Sequence, residues 1–238
     1  MPTVRVDDIT MYYEIHGAGA PLVLIGGLGA DLTLLTPITD ELARHRRVIV
    51  FDNRGAGRTD QPDRPYSIEL MTRDTVGLMD ALSIDRADIL GISMGGRIAL
   101  ELTLTHPSRV RRLVLVSTSA AGRGKVHMSW PMRLMWLLQW IPGMHGRYPQ
   151  PGYAHRRQRE AAVRYDATAR LDQINVPTLI LHGRRDRSLP LSMAEQLHNG
   201  IAGSRLQVFR GGHMFCSLTE RHVFLTRVDE FLTGTTRN

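Results

Sequence analysis

Cysteine is nearly absent from this chain: Cys216 is the only one in 238 residues. That excludes an intramolecular disulfide and any metal site built on several thiolates. Lysine is as scarce, with Lys125 alone among the 30 Lys and Arg residues, so the net charge of +7 rests on arginines scattered singly from Arg5 to Arg237. The densest local group, Arg156, Arg157 and Arg159, is short and carries no interleaved aromatics, so no nucleic-acid partner is expected. No stretch reaches the roughly 18 uninterrupted apolar residues that a membrane span needs. The opening MPTVRVDDIT lacks the apolar block of a secretory signal. The expectation is a cytoplasmic protein without stable membrane anchoring, acting as a monomer or homodimer.

What the chain does contain is an alternation of short apolar runs with amphipathic stretches. Residues 3–6 and 10–15 alternate as strands around the turn Asp7-Asp8, which predicts an opening hairpin. Continuous apolar runs at 22–25, 48–51, 89–92, 111–118 and 177–183 read as strands buried on both faces, and 206–209 as a further strand. Helical spacing is found near 37–45, at 67–82 behind the N-cap Ser67, after Ser93, near 191–198 and from about Glu220 to Leu232. Strands alternating with helices imply a mostly parallel, doubly wound α/β sheet of about eight strands. Strand patterning is missing from residue 119 to about 173. Residues 120–173 therefore read as a helical cap inserted into a core made of 1–119 and 174–238.

The residues that carry chemistry sit just after strands, where open parallel sheets gather their reactive groups. Gly91-Ile92-Ser93-Met94-Gly95-Gly96 joins a strand pattern to a helix pattern. A serine on such a corner has its hydroxyl pushed out of the sheet edge, and the flanking glycines are needed because side chains there would collide. A serine hydroxyl is a poor nucleophile at neutral pH, so it needs a base, and the base needs an orienting acid. Asp186 lies beyond the strand 178–182 and His213 beyond the strand 206–209, giving the chain order Ser93, Asp186, His213. Alternative readings make Ser93 a capping residue, Asp186 a helix cap or a partner of Arg184, Arg185 or Arg187, and His213 a turn residue. Asp52 is a rival acid at another strand end, expected to fix its own loop. The N–H of Met94, at the helix start, points where an oxyanion would form. A second N–H is expected from Gly26-Gly27-Leu28-Gly29, and Leu28 is its candidate donor.

Through GGLGAD, DNRGAGRTD, GISMGG, HGRRDRSLP and GGHMF the sequence resembles the α/β-hydrolase superfamily, in particular its capped carboxylesterase and 3-oxoadipate enol-lactonase branch. The resemblance implies Ser93 as nucleophile, His213 as base, Asp186 as orienting acid, and Leu28 and Met94 as oxyanion donors. It implies no cofactor or metal. The sequence departs from many relatives at Gly26, where they carry histidine. It departs from carbon–carbon bond hydrolases at Ile92 and Met214, where those have asparagine and tryptophan.

Within the insertion, MSWPMRLMWLLQWI at 128–141 has almost no polar face and reads as a helix covered on both sides. Met132, Met135, Trp136 and Trp140 are its candidate pocket residues, with methionine as an adaptable wall and tryptophan as a rigid one. The expected substrate is a small apolar ester or lactone. Acyl transfer, C–C bond hydrolysis with the same three residues, and a non-catalytic small-molecule binder remain alternatives.

Overall fold

The computed structural model describes residues 2–122, 146–214 and 219–234. These form a mostly parallel sheet of eight strands: β1 (Thr3–Val6), β2 (Ile9–His16), β3 (Pro21–Ile25), β4 (Arg47–Phe51), β5 (Ala87–Ile92), β6 (Val110–Val116), β7 (Thr178–Gly183) and β8 (Arg205–Phe209). Their spatial order is β1-β2-β4-β3-β5-β6-β7-β8. The hairpin β1–β2 pairs antiparallel and joins β4 antiparallel, whereas every other neighbour pair is parallel. Asp7 turns the hairpin at φ 47°, a left-handed conformation that a short polar side chain tolerates.

The central strands are buried on both faces, and their side chains alternate between two apolar clusters. Val23, Ile25, Ile49, Phe51, Ile89, Leu113 and Leu115 face the helices α2 (Ile68–Ala81), α3 (Met94–Thr105) and α5 (Leu191–Gly200). Leu22, Leu24, Val48, Val50, Leu90, Val114 and Val116 face α1 (Thr36–Leu42) and α6 (Arg221–Thr233). This two-sided burial explains why the strands read as unbroken apolar runs rather than as alternating ones.

From β3 the chain steps to β4 on one side and then to β5 on the other. The direction of winding therefore reverses between β3 and β5, and a crevice opens there beyond their carboxyl ends. The loop at 26–31 and the corner at Ser93 both lie at that crevice.

Between β6 and β7 the described residues include α4 (Gly152–Arg164), a short 3-10 turn (Thr168–Gln173) and the bridge of Ala121 to Asp166. Arg97 of α3 ties this region down, donating to Ala162 O at 2.9 Å and to Ser119 Oγ at 2.8 Å. Burial without a carboxylate beside it pushes the Arg97 guanidinium down to about 10. Glu101 accepts from Tyr165 Oη at 3.1 Å and from Arg170 at 2.8 Å, adding a second tie. Met132, Met135, Trp136 and Trp140 lie outside the described residues, as does Cys216. No helix among the described residues is long and apolar enough to cross a membrane.

Candidate active site

Ser93 is the hinge of the corner between β5 and α3. Its backbone sits at φ 55°, ψ −117°, strained for any residue with a Cβ. The neighbouring chain holds it there: Ser93 N donates to Val116 O at 2.9 Å, and Thr118 Oγ1 donates to Ser93 O at 2.7 Å. The corner is also closed by sterics. A Cβ at Gly91 would run into the Gly95 carbonyl, and one at Gly95 into the Ile25 carbonyl. Close backbone approach, not chain flexibility, is what these two glycines supply.

The loops after β7 and β8 come together beside Ser93. Arg184 N donates to Phe209 O at 2.8 Å and Arg185 N to Gly211 O at 2.9 Å. A Cβ at Gly183 would strike the Gly211 and Gly212 carbonyls, so that position too depends on backbone contact. Asp186 uses one oxygen to hold its own loop, accepting from Ser188 N at 2.8 Å and Leu189 N at 2.9 Å through Oδ1. Its other oxygen, Oδ2, lies 2.6 Å from His213 Nδ1, and His213 Nε2 lies 3.1 Å from Ser93 Oγ. A carboxylate accepts only, so Nδ1 carries the hydrogen and Nε2 presents its lone pair to the serine hydroxyl. The Asp186 side chain is fully buried and that of His213 is 24% exposed. Ser117 Oγ also donates to His213 O at 3.0 Å, fixing the backbone behind the ring.

Asp52 has a different task. It is fully buried and accepts from Leu32 N at 2.7 Å and Arg58 N at 2.8 Å, so it ties two loops together. Burial raises its carboxyl above the usual range against the lowering pull of those two bonds. His182 is likewise fully buried, with Nε2 2.8 Å from Leu189 O and 3.7 Å from Asp186 Oδ2. Its Nδ1 has no hydrogen-bond partner among the described residues. Burial lowers the His182 pKa and keeps the ring neutral, with Nε2–H donating to the Leu189 carbonyl.

Met94 is the first residue of α3, so its N–H belongs to the free donors of a helix start. Gly27 lies against the Ser93 corner, where an added Cβ would stand 3.3 Å from Ser93 Cβ. Leu28 follows it in the same loop and is partly buried against the core. That loop is held by residues to which motif reading assigns no part in the site. Asn53 Nδ2 donates to Gly26 O at 3.0 Å, and Gly29 N donates to Gln158 Oε1 at 2.9 Å. Asn53 lay in view inside DNRGAGRTD, but nothing in its local pattern points to a carbonyl 27 positions back. Among the described residues, no group of three or more His, Cys, Asp or Glu side chains is placed to hold a metal ion.

The arrangement is a hydroxyl, an imidazole and a carboxylate in one hydrogen-bonded line, beside a glycine loop and a helix start that offer N–H groups. Comparison with known proteins addresses the fold around it. RutD of Azorhizobium caulinodans, named as a carbamate hydrolase, is 32% identical over 92% of this chain and 94% of its own. The 2-hydroxy-6-oxo-2,4-heptadienoate hydrolase of Pseudomonas putida is 33% identical over 91% of this chain and 90% of its own. The enol-lactonase of Burkholderia xenovorans superposes with a TM-score of 0.84 at 27% identity, covering 98% of this chain and 100% of that one. Residues 20–168 match the alpha/beta hydrolase fold family, and the chain belongs to that family of hydrolases.

Proposed function

We propose that the protein is a serine hydrolase that cleaves a small carboxylic ester or lactone through an acyl-enzyme. The observation that carries this reading is the unbroken line from Asp186 Oδ2 to His213 Nδ1 at 2.6 Å and from His213 Nε2 to Ser93 Oγ at 3.1 Å. Ser93 Oγ attacks the carbonyl carbon as its proton passes to His213 Nε2, and Asp186 stabilises the imidazolium that results. The N–H groups of Leu28 and Met94 receive the oxyanion. Collapse expels the alcohol, which takes the proton from His213. Water, activated by the same imidazole, then releases the acid and restores Ser93.

A carbamate is the second substrate class, favoured by the likeness to RutD across nearly the whole chain. It asks for the same attack on a carbonyl. Carbon–carbon bond cleavage is disfavoured by Ile92 and Met214, which replace the asparagine and tryptophan common in hydrolases of that kind. Met132, Met135, Trp136 and Trp140, in the insertion at 120–173, are proposed as the apolar wall of a substrate pocket above Ser93.

The test is hydrolysis of p-nitrophenyl esters of increasing acyl length, with a lactone and an aryl carbamate alongside, by the wild type and by Ser93→Ala. Loss of the nucleophile is expected to cost on the order of a millionfold in turnover. A Ser93→Ala variant as active as the wild type sinks the reading. Equal rates on short and long acyl chains count against the apolar wall.

A further inference from the structure

Gln158 lies on α4, 129 residues beyond Gly29 in the chain, yet it is fully buried and its amide closes on the glycine loop. Its Oε1 accepts from Gly29 N at 2.9 Å and from Gln150 Nε2 at 3.5 Å, while its Nε2 donates to Arg54 O at 2.7 Å. The orientation is fixed by chemistry: a flipped amide would set a donor against the Gly29 N–H and an acceptor against the Arg54 carbonyl. Gln150 Nε2 braces the same place, donating to Gly55 O at 2.6 Å.

The peptide that carries the Leu28 N–H lies between two clamped neighbours. On one side the Gly26–Gly27 peptide is held through its carbonyl by Asn53, and on the other the Leu28–Gly29 peptide is held through its N–H by Gln158. Gly29 itself turns at φ 72°, a left-handed conformation that glycine takes without strain, and Ala30 N donates back to Gly27 O at 3.4 Å across that turn.

We infer that Gln158 is a positioning residue for the oxyanion donor Leu28: by gripping the Gly29 N–H and the Arg54 carbonyl together, it sets the plane of the peptide beside that donor. The inference rests on the hydrolase reading above. It makes α4, outside the sheet core, part of what shapes the oxyanion site. An effect on transition-state stabilisation appears in kcat rather than KM, because the oxyanion exists only once the carbonyl has been attacked.

Gln158→Met keeps the length of the side chain and removes its hydrogen bonds to Gly29, Gln150 and Arg54. With p-nitrophenyl butyrate its kcat should fall roughly 10- to 100-fold with KM within about threefold of wild type, below the loss seen when an oxyanion donor is removed outright. A kcat within twofold of wild type, or a change confined to KM, overturns the inference. Gln158→Glu covers the case in which the methionine variant fails to fold. Its acid form can accept from Gly29 and donate to Arg54, whereas its carboxylate faces the Arg54 carbonyl with no hydrogen to give. The ratio of variant to wild-type kcat should therefore rise severalfold between pH 8 and pH 5.5. A flat ratio overturns the inference. Ser93→Ala run beside both separates the two failures: activity surviving in that variant condemns the hydrolase reading, whereas its loss together with an unaffected Gln158→Met condemns only the role of Gln158.

Discussion

Two loops meet at the crevice between β3 and β5, and they are held by opposite means. The corner at 91–96 holds itself: its glycines admit the neighbouring backbone, and Ser93 bonds to the adjacent strand and its exit, Val116 and Thr118. The loop at 26–32 has a backbone bond of its own, Ala30 N to Gly27 O at 3.4 Å, but takes three side-chain bonds from elsewhere: Asn53 on Gly26, Asp52 on Leu32 and Gln158 on Gly29. The loop bearing Asp186 belongs with the first kind, since the carboxylate caps its own turn at Ser188 and Leu189. The proposed nucleophile and its proposed acid are thus fixed by short-range geometry, while the loop proposed to carry an oxyanion donor borrows much of its shape.

Four substitutions can break this contrast. Asp186→Asn strikes the self-held set. The amide can still accept from Ser188 and Leu189, but it no longer enforces the His213 tautomer, and kcat should drop about 10⁴-fold in steady-state assays. A loss under tenfold would remove Asp186 from its role. Gly95→Ala forces a methyl toward the Ile25 carbonyl and should displace Ser93, costing at least about a hundredfold in kcat/KM. Wild-type turnover in that variant would show that the corner is not sterically closed.

Asn53→Ala removes one borrowed clamp and strands the buried Gly26 carbonyl. It should lower stability by about 1–3 kcal/mol in denaturant unfolding and kcat by on the order of tenfold, an oxyanion-type loss well short of a donor deletion. A loss as deep as that of Gly95→Ala would erase the contrast between the loops. The smallest effect is expected at His182, which burial keeps neutral. Its folded pKa lies below the ordinary imidazole value, so the unfolded chain takes up the proton first as pH falls. Its contribution is full above about pH 6.5 and is lost as pH drops below that. His182→Gln should therefore flatten the fall in melting temperature between pH 7 and pH 5, and an unchanged slope would assign that fall to other groups.

The same contrast explains what the sequence made legible. The eight strands and the alternation of helices were readable because buried parallel strands leave unbroken apolar runs, as at Leu22–Ile25 and Val48–Phe51. Ser93, Asp186 and His213 could be nominated because each lies just beyond a strand pattern, and the structure brings the three side chains within hydrogen-bonding reach. The short 3-10 turn Leu32–Leu35, capped by Asp31, and the helix Gly152–Arg164 left weaker traces. The first is only four residues long, and the second is highly polar with few buried positions. Gln158 was invisible for a deeper reason: a glutamine on a polar helix looks like solvent-facing surface, and its partners Gly29 and Arg54 lie 129 and 104 positions away. Side chains that hold remote backbone leave no local pattern.

The most direct measurement of the central claim is covalent labelling with an alkyl fluorophosphonate, read by intact mass and peptide mapping. The account predicts one phosphonyl group per chain, placed on Ser93, with loss of esterase activity in step with labelling and much slower labelling in His213→Ala. A protein that hydrolyses esters yet takes no label at Ser93, or takes it equally fast without His213, would contradict it.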